Sequence, residues 1–264
     1  MFRFFAILLA LSPAAWAYVP PSQFLVKTLV TKHGGIKGVR IRSIVSGMDG
    51  EKASGAVFKE TTWFDSAKRL LRSWATDEAD HKLYVIERPA DALTAADQLL
   101  LDSDPRAVMT MLKTHGVPVK SEEELLALPT EEDRRSAETL ALARFNGGVD
   151  WVIGRRGKPE PQLWLEKDTF LPTRFLMSET DGSLEELQFG SYRFYREFPF
   201  PRSITVLGKT GAPVLRDELT DLTVSPAKLE AELKTPVQAG WTDAGNSAPA
   251  ALRDLIRSYY EQLR

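Results

Sequence analysis

The chain has 264 residues, with 34 Lys and Arg against 36 Asp and Glu, three His, no Cys and a formal charge of −2. Its 43% apolar and 9% aromatic residues are enough to bury one sizeable core, which excludes a disordered or collagen-like chain. The charge balance argues against a nucleic-acid binder, and the absence of cysteine excludes a disulfide framework, a thiolate metal site, a Cys nucleophile and an acylated N-terminal cysteine.

Met1 to Ala17 carries Arg3, the apolar run Phe4 to Leu11 and the small-residue ending Ala15-Trp16-Ala17. That is the pattern of a cleavable export signal, too short to span a bilayer and broken at Pro13. The expectation is a single domain over residues 18–264, soluble and exported to the periplasm. Ser22 is placed to cap a first helix bearing Phe24, Leu25, Thr28 and Leu29, and His33-Gly34-Gly35 is placed to stop it.

From residue 36 the period changes to two. Val39, Ile41 and Val45 alternate with Arg40, Arg42 and Ser46, and strand-like runs follow at 54–64, 68–76 and 81–88. Asp49-Gly50 and Asp77 to Asp80 supply turns, so the runs form an antiparallel meander. Residues 92–146 read as a helical insertion. Asp104-Pro105 opens one helix with Val108, Met111 and Leu112 on a stripe, and His115-Gly116 ends it. Ser121 and Glu124 form a capping box ahead of Leu125, Leu126 and Leu128. Thr130 opens a third helix with Ala137, Leu140, Ala141 and Phe145 on one face, ending at Asn146-Gly147-Gly148.

Strands return at 149–155, 162–167, 174–178, 184–195, 204–207 and 214–224, each break marked by Gly or Pro. Residues 235–247 read as an extended connector. A C-terminal helix over about 249–263 carries Leu252, Leu255, Ile256, Tyr259 and Leu263 on one side.

Sequence signatures of catalysis are missing. Gly208-Lys209-Thr210 lacks the glycine a phosphate loop needs five residues earlier, where Ser203 stands, and Asp77-Glu78-Ala79-Asp80-His81 sits in a turn, so no nucleotide is expected. His33, His81 and His115 lack metal-ligand spacing, the EF-hand pattern is absent, and no Gly-x-Ser-x-Gly occurs. Asp150, Glu160, Glu166 and Asp168 could converge as a hydrolase pair, but no local signature favours them. The expectation is a protein that is not an enzyme and uses no cofactor or metal.

One set of residues has a family look. Trp151-Val152-Ile153-Gly154 is followed by Gln162-Leu163-Trp164-Leu165-Glu166-Lys167-Asp168-Thr169-Phe170-Leu171-Pro172-Thr173-Arg174, then Asp181-Gly182, Phe189-Gly190-Ser191-Tyr192 and Phe200-Pro201-Arg202-Ser203-Ile204. Over residues 149–225 this order and spacing resembles the outer-membrane lipoprotein-sorting family, the LolA/LolB-like proteins. The resemblance implies an α+β fold, an open antiparallel β-barrel with helices over its concave face. It also implies a cargo of lipid or lipoprotein acyl chains, with membrane-bound donor and acceptor proteins as further partners. Where the resembled chaperones carry an Arg-Pro pair whose Arg latches the lid, this chain has Lys59-Glu60-Thr61.

Two-residue alternation then offers a cavity wall of Val39, Ile41, Val57, Trp63, Leu71, Val85, Trp151, Ile153, Trp164, Leu176, Leu187 and Phe189, all expected on one side of the sheet. Val108, Met111, Leu112, Leu125 and Leu126 are the lid candidates. The same residues would fill the core of any packed β domain. A periplasmic sensor or scaffold that binds a protein partner is the rival to the carrier.

Overall fold

A computed structural model of the chain describes residues 20–34, 36–130, 132–133, 140–179 and 181–264. The expected export signal lies outside these residues, as does Ala137 of the expected third helix.

Among the described residues, twelve strands form one antiparallel sheet. The first meander is β1 (Gly38–Asp49), β2 (Lys52–Asp65), β3 (Leu70–Thr76) and β4 (Lys82–Arg88). The second is β5 (Leu140–Phe145), β6 (Gly148–Ile153), β7 (Gln162–Glu166), β8 (Pro172–Ser178), β9 (Leu184–Tyr195), β10 (Phe198–Leu207) and β11 (Pro213–Val224). Pairing of β1 with β11 joins the two, and the two-residue β12 (Gly240–Trp241) pairs with β4. The sheet therefore ends at β12 and β5 and does not close. The fold is an open antiparallel barrel with helices, as expected.

Helices α1 (Ser22–Thr31), α2 (Ala95–Leu101) and α3 (Pro105–Thr114) and a C-terminal helix (Ala250–Gln262) contribute the helical side of one buried core. That side of the sheet is the covered face. Alternation explains the choice: Leu163, Leu165, Phe175, Leu187 and Phe189 are buried in this core, while intervening residues turn to the outer face. The outer face is itself partly dressed. Helix α5 (Leu229–Lys234) sets Leu229 and Leu233 on Trp63, with Leu70 and Trp74 packed alongside. No helix among the described residues is long and apolar enough to cross a membrane.

Helix punctuation follows the sequence in most places. Asp104 accepts a hydrogen bond from the Arg106 amide at 2.9 Å, with Pro105 in the first turn. Both bonds of the Ser121/Glu124 capping box are present on the short α4 (Glu122–Leu126). Ser22 is not the cap of α1. It begins the helix, and its hydroxyl accepts from the Lys120 amide at 3.0 Å, tying α1 to the chain after α3. The buried stripe of α1 is also shifted: Leu25, Val26, Leu29 and Val30 are buried and Phe24 is half exposed. The connector expected at 235–247 contains β12 and a short helix, α6 (Asp243–Asn246).

The expected third helix is overturned where it can be seen. Leu140–Phe145 is a strand, and Asn146-Gly147 is the turn of a hairpin into β6 rather than a helix stop. Both turn residues have positive φ, +47° and +85°, as a two-residue hairpin turn of type I′ requires. The helical insertion thus ends before Leu140. Gly147→Ala should lower stability by about 1 kcal/mol in urea unfolding, because Ala resists the positive φ this turn requires.

Candidate functional site

The covered face has two unlike halves. Over β6–β11 the sheet presents Ile153, Leu163, Leu165, Phe175, Met177, Leu187, Phe189, Ile204 and Val206 to the common core. Helices α1 and α3 contribute Leu25, Val26, Leu29, Val30, Val108, Met111 and Leu112 to it. Polar bonds tie these helices to one another and to the β2–β3 turn of the sheet, and the end of α3 to β8. His33 at the end of α1 bonds the Asp102 carbonyl through Nδ1 at 3.0 Å, and Arg69 donates twice to the Asp102 carboxylate, at 3.0 and 2.5 Å. His115 and Ser178 link the end of α3 to β8 through the Ser178 amide and His115 carbonyl at 3.1 Å.

Over β1–β3 and β11 the floor is polar at its centre. Ser43, Glu60, Thr62, Ser73 and Asp217 are all buried there. Arg264, fully buried, lies among them with its Nε 3.2 Å from Glu60 and its terminal nitrogens 3.4 Å from Asp97 of α2 and 3.4 Å from Asp217. The Tyr259 hydroxyl of the C-terminal helix donates to Glu60 at 2.6 Å and lies 3.0 Å from Asp217. Thr62 and Ser73 each donate to Glu60 at 2.7 Å, and Ser73 meets the Tyr260 hydroxyl at 3.1 Å. Arg88 of β4 reaches the Tyr260 carbonyl at 2.7 Å. Four strands, β2, β3, β4 and β11, along with α2 and the C-terminal helix, are thereby fastened together.

One guanidinium faces three carboxyl groups here, and the acidities reflect it. Burial pushes Asp97 up to about 6 against the pull of Arg264, and burial does the same to Asp217, which also feels Glu60. Burial opposes the Arg264 charge, but the facing Glu60, Tyr259, Asp97 and Asp217 more than offset it and hold the group protonated. His33 goes the other way, since burial drives it down to about 4.

The sequence-derived wall divides between the two faces. Val39, Ile41, Leu71, Ile153, Leu187 and Phe189 lie in the covered core, with Trp151 packed against it. Val57, Trp63, Val85, Trp164 and Leu176 do not share that side. Val57 is 37% exposed, Trp63 packs under α5, Val85 pairs in register with Trp74 on the outer face, and Trp164 packs with Ala143 and Val152. Leu176 shares the outer face with Arg174. Of the lid candidates, Val108, Met111 and Leu112 are core residues, whereas Leu126 is 60% exposed and α4 buries none of its residues. Helix α4 is short and acidic and turns to solvent, which takes Leu125 and Leu126 off the cover.

Of the scattered carboxylates, Asp150 and Glu166 stand opposite each other in register on β6 and β7, and burial together with the neighbouring Glu166 raises the pKa of Asp150. Asp150 is bonded by the Thr173 hydroxyl at 2.7 Å, Glu166 accepts the Asp168 and Thr169 amides of its own turn, and Glu160 pairs with Arg155. Sequence reasoning missed Glu60, Asp97, Asp217 and Arg264. A signal existed for two of them: Glu60 alternates in phase with Phe58 and Phe64, and Asp217 with Leu215, so both were due to point inward.

Arg264→Ala should destabilise the protein by about 3–5 kcal/mol in urea unfolding, since it leaves buried carboxyl groups uncompensated. Asp97 and Asp217, raised when folded, contribute stability that is complete below about pH 4 and lost as pH rises through about 6, while His33, depressed when folded, contributes stability that is complete above about pH 6.5 and lost as pH falls toward 4. The doubly substituted Asp97→Asn, Asp217→Asn protein should therefore lose stability on acidification from pH 6.5 to 4 more steeply than the wild type, read from melting temperatures across that range.

No protein-family model and no curated protein sequence matches the chain. Solved structures do. A LolA superfamily protein from Nitrosomonas europaea aligns over 83% of this chain and 99% of its own, at 7% identity and a TM-score of 0.50. A Vibrio parahaemolyticus domain assigned to outer-membrane lipoprotein sorting covers 80% and 97% at 11% identity and a TM-score of 0.43. A DUF1329 family protein from Desulfovibrio piger covers 82% and 100% at 10% identity and a TM-score of 0.44. The Nitrosomonas europaea alignment establishes the fold: the chain has a LolA-like open barrel.

Proposed function

We propose that the protein is a non-catalytic periplasmic binding protein that takes an apolar chain, the hydrocarbon of a lipid or lipoprotein, between β6–β11 and the helices α1 and α3. The observation that carries this proposal is the contrast between the two halves of the covered face. One half is apolar on both sides, and the other is locked by buried charge.

Magnitudes decide which half can yield. An acyl chain of roughly 15 methylenes gains about 12 kcal/mol on leaving water. Each Leu, Val or Met lifted off the floor costs about 1.5–3 kcal/mol, so uncovering three or four of them is of the same size and the chain offsets it. Displacing the C-terminal helix adds the loss of the Arg264 cluster, about 3–5 kcal/mol for which a hydrocarbon offers no return. Met109, Met111 and Met177 are buried in the apolar core, and methionine adapts readily to irregular occupants.

A protein partner is the second possibility. It is favoured by β5, an edge strand paired only to β6 among the described residues, with Leu142 45% exposed on it.

Titration with parinaric acid methyl ester, a chain without an anionic head, separates them. Chain binding predicts a saturable fluorescence gain at one probe per protein, weakened at least tenfold by Met111→Lys and unchanged by Leu126→Lys, whose side chain is outside the cover. If Met111→Lys fails to fold, Met177→Lys serves in its place. Absence of saturable binding to the wild type, or equal loss in the Leu126 variant, would reject the carrier.

A further inference from the structure

Two hairpin turns face one another across the outer face of the second meander, on the side of the sheet away from the helical cover. One joins β6 to β7 and carries Arg156 and Lys158. The other joins β10 to β11 and carries Lys209. Between them runs a groove of about 500 Å³, within the size range of small-molecule sites. Its floor is apolar, made by Trp164, Leu176, Leu184 and Leu207.

The first turn is held rigidly. Gln162, buried beneath it, donates its amide nitrogen to the Arg155 and Lys158 carbonyls, both at 2.8 Å, and accepts the Trp164 indole N–H at 2.9 Å. Gly154, at φ +122°, passes so close to Gln162 and the Pro161 carbonyl that a Cβ would lie within 3 Å of both. Trp164 on the floor and the turn above it are thus one unit, joined through a single buried amide. In the second turn the Gly208 amide bonds the Ala212 carbonyl at 2.9 Å and the Gly211 amide bonds Gly208 at 2.8 Å.

Charge in the groove is one-sided although the chain as a whole is slightly acidic. Its lining has four cations, Arg156, Lys158, Arg174 and Lys209, and one carboxylate, Glu186. Arg174 takes that carboxylate through two bonds of 2.8 and 2.6 Å and lies over the Trp164 ring. Lys209 meets only the exposed Asp181, a pair of small worth in water. Among the described residues Arg156 and Lys158 enter no ion pair. Two free cations held over an apolar floor complement a molecule that carries its anion on a hydrocarbon body: the guanidinium and ammonium take the anion, and the floor takes the body.

We propose that this groove binds a single anionic amphiphile, a phosphate or carboxylate head on an alkyl chain, with the head between Arg156 and Lys158 and the chain over Trp164 and Leu176. The site does not depend on the interior accepting a guest, because the sheet lies between the two.

Calorimetric titration of the full chain with dodecyl phosphate below its micelle concentration tests it. The wild type should bind, Arg156→Glu with Lys158→Glu should bind at least thirtyfold more weakly, and inorganic phosphate should bind at least tenfold more weakly than dodecyl phosphate. The matched charge change Lys228→Glu with Lys234→Glu, on exposed residues at α5, should stay within twofold of the wild type. Both pairs are exposed, so circular dichroism should be unaltered. No wild-type binding, equal affinity in the Arg156 and Lys158 variant, equal affinity for inorganic phosphate, or equal loss in the α5 control each overturns the proposal. Interior binding of the uncharged parinaric ester would be indifferent to Arg156 and Lys158, so failure here leaves that result standing.

Discussion

Arg264 sits where the C-terminal helix, α2 and the β2 and β11 strands of the sheet converge, and its guanidinium faces Glu60, Asp97 and Asp217 together. A buried cluster of this kind adds little net stability compared with a well-packed apolar substitute, yet losing one partner is costly. Its effect is to fix a position. The C-terminal helix has one register on β1–β3 and β11 in which Tyr259, Tyr260 and Arg264 all find their partners, and Phe58 meets the Tyr259 ring edge-on at 5.3 Å.

The remainder of the cover is held differently. Helices α1 and α3 meet the β6–β11 floor mainly through apolar side chains; their polar bonds run to one another through His33 and Asp102, to the β2–β3 turn through Arg69, to the chain after α3 through Ser22 and Lys120, and to β8 at His115. Apolar contact is non-directional and can be replaced by other apolar contact, so a guest hydrocarbon can take the place of the helices. Hydrogen-bonded charge cannot be replaced that way. Under the proposed function, the pinned half is the edge of the cover that stays and the greasy half the edge that must yield.

Much of this architecture could be read from the sequence, and the failures have physical causes. Strands of the two meanders were legible because two-residue alternation and Gly- or Pro-bearing turns agree along them. Which side of each strand is covered was not, because the outer face buries large side chains as well: Trp63 lies under α5 and beside Arg40, and Trp164 lies under Arg174 and beside Phe145. Alternation alone therefore mixed the two faces. Leu140-Ala141-Leu142-Ala143 carries helix-forming residues, and only the Asn146-Gly147 turn, pairing β5 with β6, decides for a strand. The Arg264 cluster joins residues as much as 204 positions apart, which no local pattern can show. Its members on the sheet were nonetheless marked by charge on an inward phase.

Hydrogen exchange followed by mass spectrometry reads the two halves directly. Peptides from Pro105–Thr114 and Ser22–Thr31 should exchange by a local opening well below the global unfolding free energy, and should become protected when an alkyl chain is supplied. Peptides from Ala250–Gln262 should exchange only with global unfolding and be indifferent to the chain. Exchange of the C-terminal helix before α1 and α3, or of all three together at the global limit with and without the chain, would contradict the account.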